Sequence, residues 1–245
     1  MKIIKKFNRF ELKYIVSYKT AIKLKKHILR YTFPDHYGDD KGKYILTSLY
    51  FDSPDYQFYW EKINGIRVRR KLRIRWYENE NRLTDESIVF VEIKQRVDRV
   101  TQKRRIRLSY KDALLFCNEG IIPPHKAEDK KIIDEMYSML KLYNLRPTAI
   151  TSYERQAFVG TDYDIGLRIT FDTHVAYRIK NLDLDAGTYE GFIIPPNFVI
   201  MEIKTNEKIP YWISELVSGH ELQISRISKY CQGLDSASAF NHINI

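Results

Sequence analysis

The chain has 245 residues, 44% hydrophobic and 13% aromatic, enough for a sizeable core, and its formal net charge of +10 favours polyanionic partners. Its two cysteines, Cys117 and Cys231, lie far apart without CxxC spacing and signal neither a disulfide framework nor a zinc site. No apolar h-region follows the start and no run of ~18 apolar residues occurs, so the expectation is a cytoplasmic protein or a cytosol-facing domain.

From Phe7 to Val16 the chain alternates, with Phe10, Leu12 and Tyr14 on one side and Arg9, Glu11 and Lys13 on the other, the period of a strand. Ser17 then caps a predicted basic helix whose apolar stripe is Tyr18, Ile22, Ile28 and Leu29. A strand over Tyr44–Pro54 leads into a short helical turn with Pro54 early and Asn64-Gly65 at its exit. The next strand, "IRVRRKLRIRWYE", sets Arg67, Arg69, Lys71, Arg73 and Arg75 on one face. Strands at Ser87–Arg96 and Thr101–Tyr110 follow, the second with Lys103, Arg105 and Arg107 on one face.

Ser109 and Asp112 suit a helix start, and Gly120 its stop. The best helical pattern runs from Ala127 to a stop at Pro147. Three further strands, within residues 148–160, 165–178 and 197–205, precede two closing helices, within 210–220 and 225–235. No linker or low-complexity segment interrupts this order, so the expectation is a single domain over residues 1–245. Strands predominate, with helices inserted and appended, which is an α+β pattern of about eight antiparallel strands.

The charges raise the central question. Glu, an aliphatic and Lys recur three times, at Glu11 to Lys13, Glu92 to Lys94 and Glu202 to Lys204. One half-exposed strand explains any single copy, but nearly every strand carries such a face, and several also have an aliphatic face that needs cover. A closed sheet satisfies both faces, with apolar side chains outward under helices and charged ones inward. A cationic interior is self-repulsive unless an anion fills it or carboxylates balance it. Phosphates fit chemically, since Arg offers a planar fork and Lys a point charge. Mn²⁺ or Mg²⁺ would use one or two carboxylates plus phosphate oxygens.

Taken in order, "FELKY", "YFDSPDYQFY", "KLRIRWY", "VEIKQR", "KRRIRL", "YERQAF", "LRITFDT", "MEIKT" and "SKY" resemble the VTC domain, the polyphosphate polymerase module of the triphosphate tunnel metalloenzyme superfamily. The resemblance implies a closed antiparallel β-barrel of about eight strands, covered by inserted and C-terminal helices, whose tunnel binds a triphosphate with a divalent metal. It implies transfer of the ATP γ-phosphate onto a growing polyphosphate chain. It also implies that Lys13, Arg73, Arg75, Lys94, Lys103, Arg155, Arg168 and Lys229 act on phosphate, that Tyr153 and Ser228 contact substrate, and that Glu202 holds the metal. Arg105 and Lys204 alternate onto the same faces and join the substrate contacts. Glu11, Glu92 and Asp172 could balance charge or take part in the chemistry; Arg67, Arg69 and Lys71 could extend the basic path or lie at an exposed strand end.

Two rival readings share the same face chemistry: an inorganic or nucleoside triphosphatase, if water replaces the phosphate acceptor, and a non-catalytic polyphosphate-binding module. Nucleic acid is not an expected partner, because the aromatics, as in "YFDSPDYQFYW" from Tyr50 to Trp60, sit mainly outside the charged alternation and read as core. Walker A and Rossmann glycine fingerprints are absent. None of the six histidines forms a ligand-spaced pair. The expected partners are ATP and inorganic polyphosphate or triphosphate, with room for a separately encoded membrane protein that takes the polymer at the inner face of a membrane.

Overall fold

The computed structural model describes residues 9–78, 82–98, 100–206 and 208–237. Two compact units emerge. One is built from the described residues of Met1–Ile45, Tyr153–Val175 and Ile194–Ile227, the other from those of Leu46–Ser152, Ala176–Ile193 and Ser228–Ile245.

In the first unit, β1 (Arg9–Ser17) pairs antiparallel with β10 (Phe198–Asn206), and β10 with β8 (Arg168–Arg178). The register sets Lys13 opposite Glu202 and Glu11 opposite Lys204. A short β2 (Thr32–Pro34), not foreseen from the sequence, pairs with the end of β7 (Arg146–Gly160). Helix α1 (Tyr18–Ile28) starts where Ser17 predicted, with the Ser17 hydroxyl accepting from the Thr20 amide at 3.0 Å. Its buried face is Ala21, Leu24 and Ile28, while Tyr18, Ile22 and Leu29 are exposed. The stripe read from the sequence was thus rotated: of its four residues only Ile28 is buried, and it overlooked Ala21 and Leu24. The core comprises these three residues with Tyr14, Val16, Phe158, Phe171, Met201 and Ile203, closed by α5 (Tyr211–Gly219) through Ile213 and Leu216.

In the second unit, β3 (Lys43–Asp52), β4 (Val68–Glu78), β5 (Ile88–Val97) and β6 (Val100–Ser109) succeed one another, with the start of β7 beside β3. A two-residue β9 (Gly191–Phe192) pairs with the end of β8 and was also not foreseen. Leu72, Ile74, Val89, Val91, Ile93 and Ile106 point to one side and are buried against α3 (Tyr110–Leu114) and α4 (Lys130–Leu142). This is the aliphatic half of the alternation, and its cover by helices leaves the charged half on the opposite face.

Three helix boundaries moved for local reasons. Helix α2 (Gln57–Ile63) begins after Pro54, because Asp52 accepts from the Phe58 and Tyr59 amides and Ser53 from the Gln57 amide. Helix α4 stops at Leu142, with Asn144 left-handed (φ 46°) and the Leu145 amide returning to the Leu140 carbonyl, so Pro147 falls inside β7. Helix α6 (Lys229–Ser236) begins at a Ser228 cap rather than at Ser225, whose amide instead donates to the Lys13 carbonyl within the first unit.

The architecture is α+β, with ten antiparallel strands among the described residues instead of about eight. Among the described residues hydrogen bonds do not close them into a ring: on the strand path β1 and β6 each have a single neighbour. Phe7 of the first expected strand and His242 lie outside the described residues.

The cap yields a direct test. Ser17→Ala leaves the Thr20 amide without its side-chain acceptor and should lower stability by about 1 kcal/mol in urea unfolding, with Ser17→Gly costing less.

Candidate functional site

Each unit gathers its cations around a buried carboxylate. In the second unit that carboxylate is Glu92, 1% exposed on β5. The register places it between Arg73 of β4 and Arg105 of β6. Arg73 donates to Glu92 Oε2 from Nε at 2.9 Å and from Nη2 at 2.6 Å. Lys103 Nζ lies on Oε1, with Arg75 at 3.9 Å and Arg105 at 4.0 Å completing the group. Lys71, Lys94 and Lys103 face one another across the three strands in the adjacent row.

Burial alone would raise the Glu92 carboxyl, but Arg73, Arg75 and Lys103 overcome it and hold it well below the usual range. Lys103 is brought down to about 8 by burial and by repulsion from Arg73 and Arg75, against the opposing pull of Glu92. One carboxylate among four cations leaves the cluster with surplus positive charge.

Several neighbours of this cluster were not apparent from the sequence. Tyr50, on β3, accepts from Arg73 Nη1 at 3.0 Å, and Ser48 accepts from Arg75 Nε at 3.1 Å. Ser48, Tyr50 and Asp52 alternate along β3, so a polar face could have been read where the aromatic content suggested core. Ser228, expected to touch substrate, caps α6 and accepts from Lys71 Nζ at 2.6 Å. Lys71 is therefore part of the cluster's surroundings rather than of an exposed strand end. Arg67 is such an end: it pairs with Asp98 at the exposed β5–β6 turn. Lys229 opens α6 and is half-buried, as is Lys94 on β5.

In the first unit the centre is Glu202 on β10, 5% exposed. Lys204 lies 3.2 Å away, Lys13 3.4 Å and Arg155 3.7 Å. Burial opposes ionisation, yet Lys204, Lys13, a hydrogen bond with Glu11 and Arg155 hold the Glu202 carboxyl well below its ordinary value. Asp172 clamps Arg155 through two parallel bonds of 2.7 and 2.8 Å, and the Arg155 guanidinium lies over the Tyr153 ring. Arg168 pairs with Asp35 at 2.7 Å and donates to the Tyr44 hydroxyl at 2.8 Å, a partnership not visible in the sequence.

A sequence profile of the VTC domain matches residues 8–238. The chain belongs to the VTC domain family. Two relatives are each named vacuolar transporter chaperone complex subunit 4. The one from Trypanosoma cruzi is 27% identical over 88% of this chain and 32% of its own length; the one from Schizosaccharomyces pombe is 24% identical over 94% and 37%. The chain thus spans about a third of the length of these curated relatives. Its fold is similar to that of a Hippeastrum protein provisionally assigned as an adenylyl cyclase and described as having a dominant triphosphatase activity. That likeness has a TM-score of 0.54 at 12% identity, covering 92% of this chain and 95% of the other.

For a divalent metal, the VTC domain offers Glu202 with Glu11 beside it. Among the described residues no cluster of three or more His, Cys, Asp or Glu forms a protein-only metal nest. A pair of hard carboxylates suits Mg²⁺ or Mn²⁺, which complete their shells with phosphate and water oxygens. The donor set therefore fits. No described helix is long and apolar enough to cross a membrane. Both cysteines are buried free thiols.

Two measurements follow from the charge balance. Glu92→Gln removes the shared counter-charge and should destabilise the domain by about 2 kcal/mol, less than is usual for a broken buried pair because Lys103 and Arg105 reach solvent. Since the folded carboxyl lies below its unfolded value, its contribution is complete above about pH 5 and is lost as pH falls further. Wild-type stability should accordingly drop more steeply than that of Glu92→Gln on acidification. Separately, burial raises the Tyr50 phenol, but Arg73, Arg75 and Lys71 outweigh it and bring it down to about 7. A phenolate absorbance change centred near that pH should appear in wild type and vanish in Tyr50→Phe.

Proposed function

We propose that this VTC domain is a polyphosphate polymerase, a phosphotransferase that moves the γ-phosphate of ATP onto the end of a growing inorganic polyphosphate chain. The observation that carries the reading is Glu92 with its four cations. A buried carboxylate keeps Arg73, Arg75, Lys103 and Arg105 together on rigid strands, and an anion with several charged oxygens would complete their balance. The nucleotide and the polymer are what the resemblance to the VTC domain implies, and membership of that family supports them.

In this reading the chain acts as one domain, and its charged strand faces curl around a closed tunnel. Arg73, Arg75, Lys94 and Lys103 neutralise phosphate oxygens, as do Lys13, Arg155, Arg168 and Lys229. Tyr153, Arg105 and Lys204 add contacts, and Ser228 acts through its bond with Lys71. Glu202, with Glu11, would hold Mn²⁺ or Mg²⁺, which when bound supplies further neutralisation of the phosphates.

Phosphoryl transfer asks the protein chiefly for positioning and charge stabilisation. The attacking group, a terminal phosphate oxygen of polyphosphate or of orthophosphate at initiation, is already ionised, so no protein nucleophile or general base is required. Arg73 and Arg75 present forks held by carboxylate and hydroxyl groups, so they need little reorganisation as charge develops. The domain would work in the cytoplasm, beside a membrane partner that takes the polymer.

Purified protein incubated with ATP and Mn²⁺ should yield a ladder of polyphosphate on a resolving gel. Arg73→Ala and Lys94→Ala should each slow synthesis on the order of 100-fold, with melting temperatures close to wild type. Release of bare phosphate with no ladder would replace this reading with the triphosphatase.

A further inference from the structure

Tyr50 lies in β3 within an aromatic cluster, yet its hydroxyl turns toward the cation group. Its ring stacks on Tyr230 of α6, with centroids 5.1 Å apart and planes at 26°. Tyr59, Ala149, Cys231 and Leu234 complete the surrounding packing. The Tyr230 hydroxyl donates to Asp52, and Asp52 accepts from the backbone amides of Ser53, Phe58 and Tyr59 at 2.8, 2.8 and 3.0 Å. The Tyr50 ring is thereby anchored through Tyr230 and Asp52 to the start of α2. Packing alone would be served by phenylalanine; the hydroxyl adds a bond to Arg73 Nη1.

Arg73 is consequently gripped at both ends of its fork. Glu92 takes Nε and Nη2, and Tyr50 takes Nη1. Without the second grip the rigid, planar guanidinium could pivot about its Glu92 contact, because Nε and Nη2 both bond the single oxygen Oε2. We propose that Tyr50 is a positioning residue of the anion site, whose hydroxyl, together with Glu92, fixes the Arg73 guanidinium in the orientation that receives a phosphate group. This rests on the reading of Arg73 as a phosphate-binding cation. The fall of the Tyr50 phenol to about 7, driven by Arg73, Arg75 and Lys71 against burial, agrees with a strong coupling between hydroxyl and guanidinium. Tyr50 touches the arginine and acts through it, so its effect must disappear when Arg73 is absent.

The test is a double-mutant cycle read by calorimetric binding of inorganic triphosphate, alongside polyphosphate synthesis from ATP. Tyr50→Phe keeps the ring stack and should weaken triphosphate binding roughly tenfold, with the melting temperature little changed. Arg73→Ala should weaken it more, on the order of 100-fold, and Tyr50→Phe should add nothing in that background. Arg73→Lys, which keeps the charge but cannot grip both Glu92 and Tyr50, should reproduce the Tyr50→Phe loss and mask it, so the inference remains testable if Tyr50→Phe folds poorly. Unchanged binding in Tyr50→Phe, or losses that multiply in the double variants, would overturn it. If ATP yields no polyphosphate but the cycle behaves as expected, the polymerase reading fails and the positioning role stands. If polymer forms while Tyr50→Phe changes neither binding nor synthesis, the reverse holds.

Discussion

The second unit depends on one electrostatic constraint: the Glu92 carboxylate, almost sealed from water, must carry its charge among Arg73, Arg75, Lys103 and Arg105. A strand of period two cannot spread its cations around itself as a helix does; every second residue returns to the same face. Aligned across β4, β5 and β6, such faces would repel one another at close range. A central carboxylate converts part of that repulsion into attraction, and its own burial is tolerable only because the cations surround it. Glu202 meets the same constraint in the first unit, with Lys13, Lys204 and Arg155 in place of the four.

The arrangement has a chemical consequence. Cations on mobile loops would lose entropy and shed water as they closed on a phosphate, whereas these are held on strands, with Arg73 between Glu92 and Tyr50, Arg75 on Ser48 and Arg155 on Asp172. Preorganised charge of this kind contributes most where charge shifts in a reaction without new covalent partners from the protein. The glutamates' shared role follows. They keep the cations together in the absence of an anion, and around Glu92 they leave positive charge unbalanced for the anion of the proposed function.

Much of this was legible in the sequence, and what was not has definite causes. The strands and their charged faces were readable because period-two alternation survives in one dimension, as did the Ser17 and Ser109 caps, whose hydroxyls bond within three residues. The end of α4 was misplaced because Pro147 is a conspicuous breaker, whereas Asn144 acts through a left-handed turn that many residues could make. Tyr50 was read as core, and its ring is; only the three-dimensional neighbour gives its hydroxyl a partner. Ser228 stood out in "SKY", but the Lys71 that donates to it lies 157 positions earlier, beyond any local pattern. Asp35, the partner of Arg168, sits in a loop with no periodicity to mark it.

The three Glu-aliphatic-Lys units look alike in sequence, yet strand order makes them unequal. Glu92 and Glu202 each lie on a strand flanked on both sides, but Glu92 takes its cations from both neighbours, β4 and β6, whereas Glu202 takes Lys13 from β1, Lys204 from its own strand and Arg155 from β7, one strand beyond β8. Glu11 lies on β1, beside β10 alone on the strand path, is one-quarter exposed, and meets Lys13. That difference bears on the metal in the proposed function. Glu92 is surrounded only by cations, so a divalent ion entering there would add to their repulsion. Glu202 has the Glu11 carboxyl within hydrogen-bonding reach, and two ionised carboxylates that close repel each other unless a cation lies between them. Lys13 bridges them at 3.1 and 3.4 Å, and a hard divalent ion would answer the same need with more charge. In the proposed function, electrostatics would thus give anion gathering to Glu92 and its cations, and metal holding to Glu202 with Glu11.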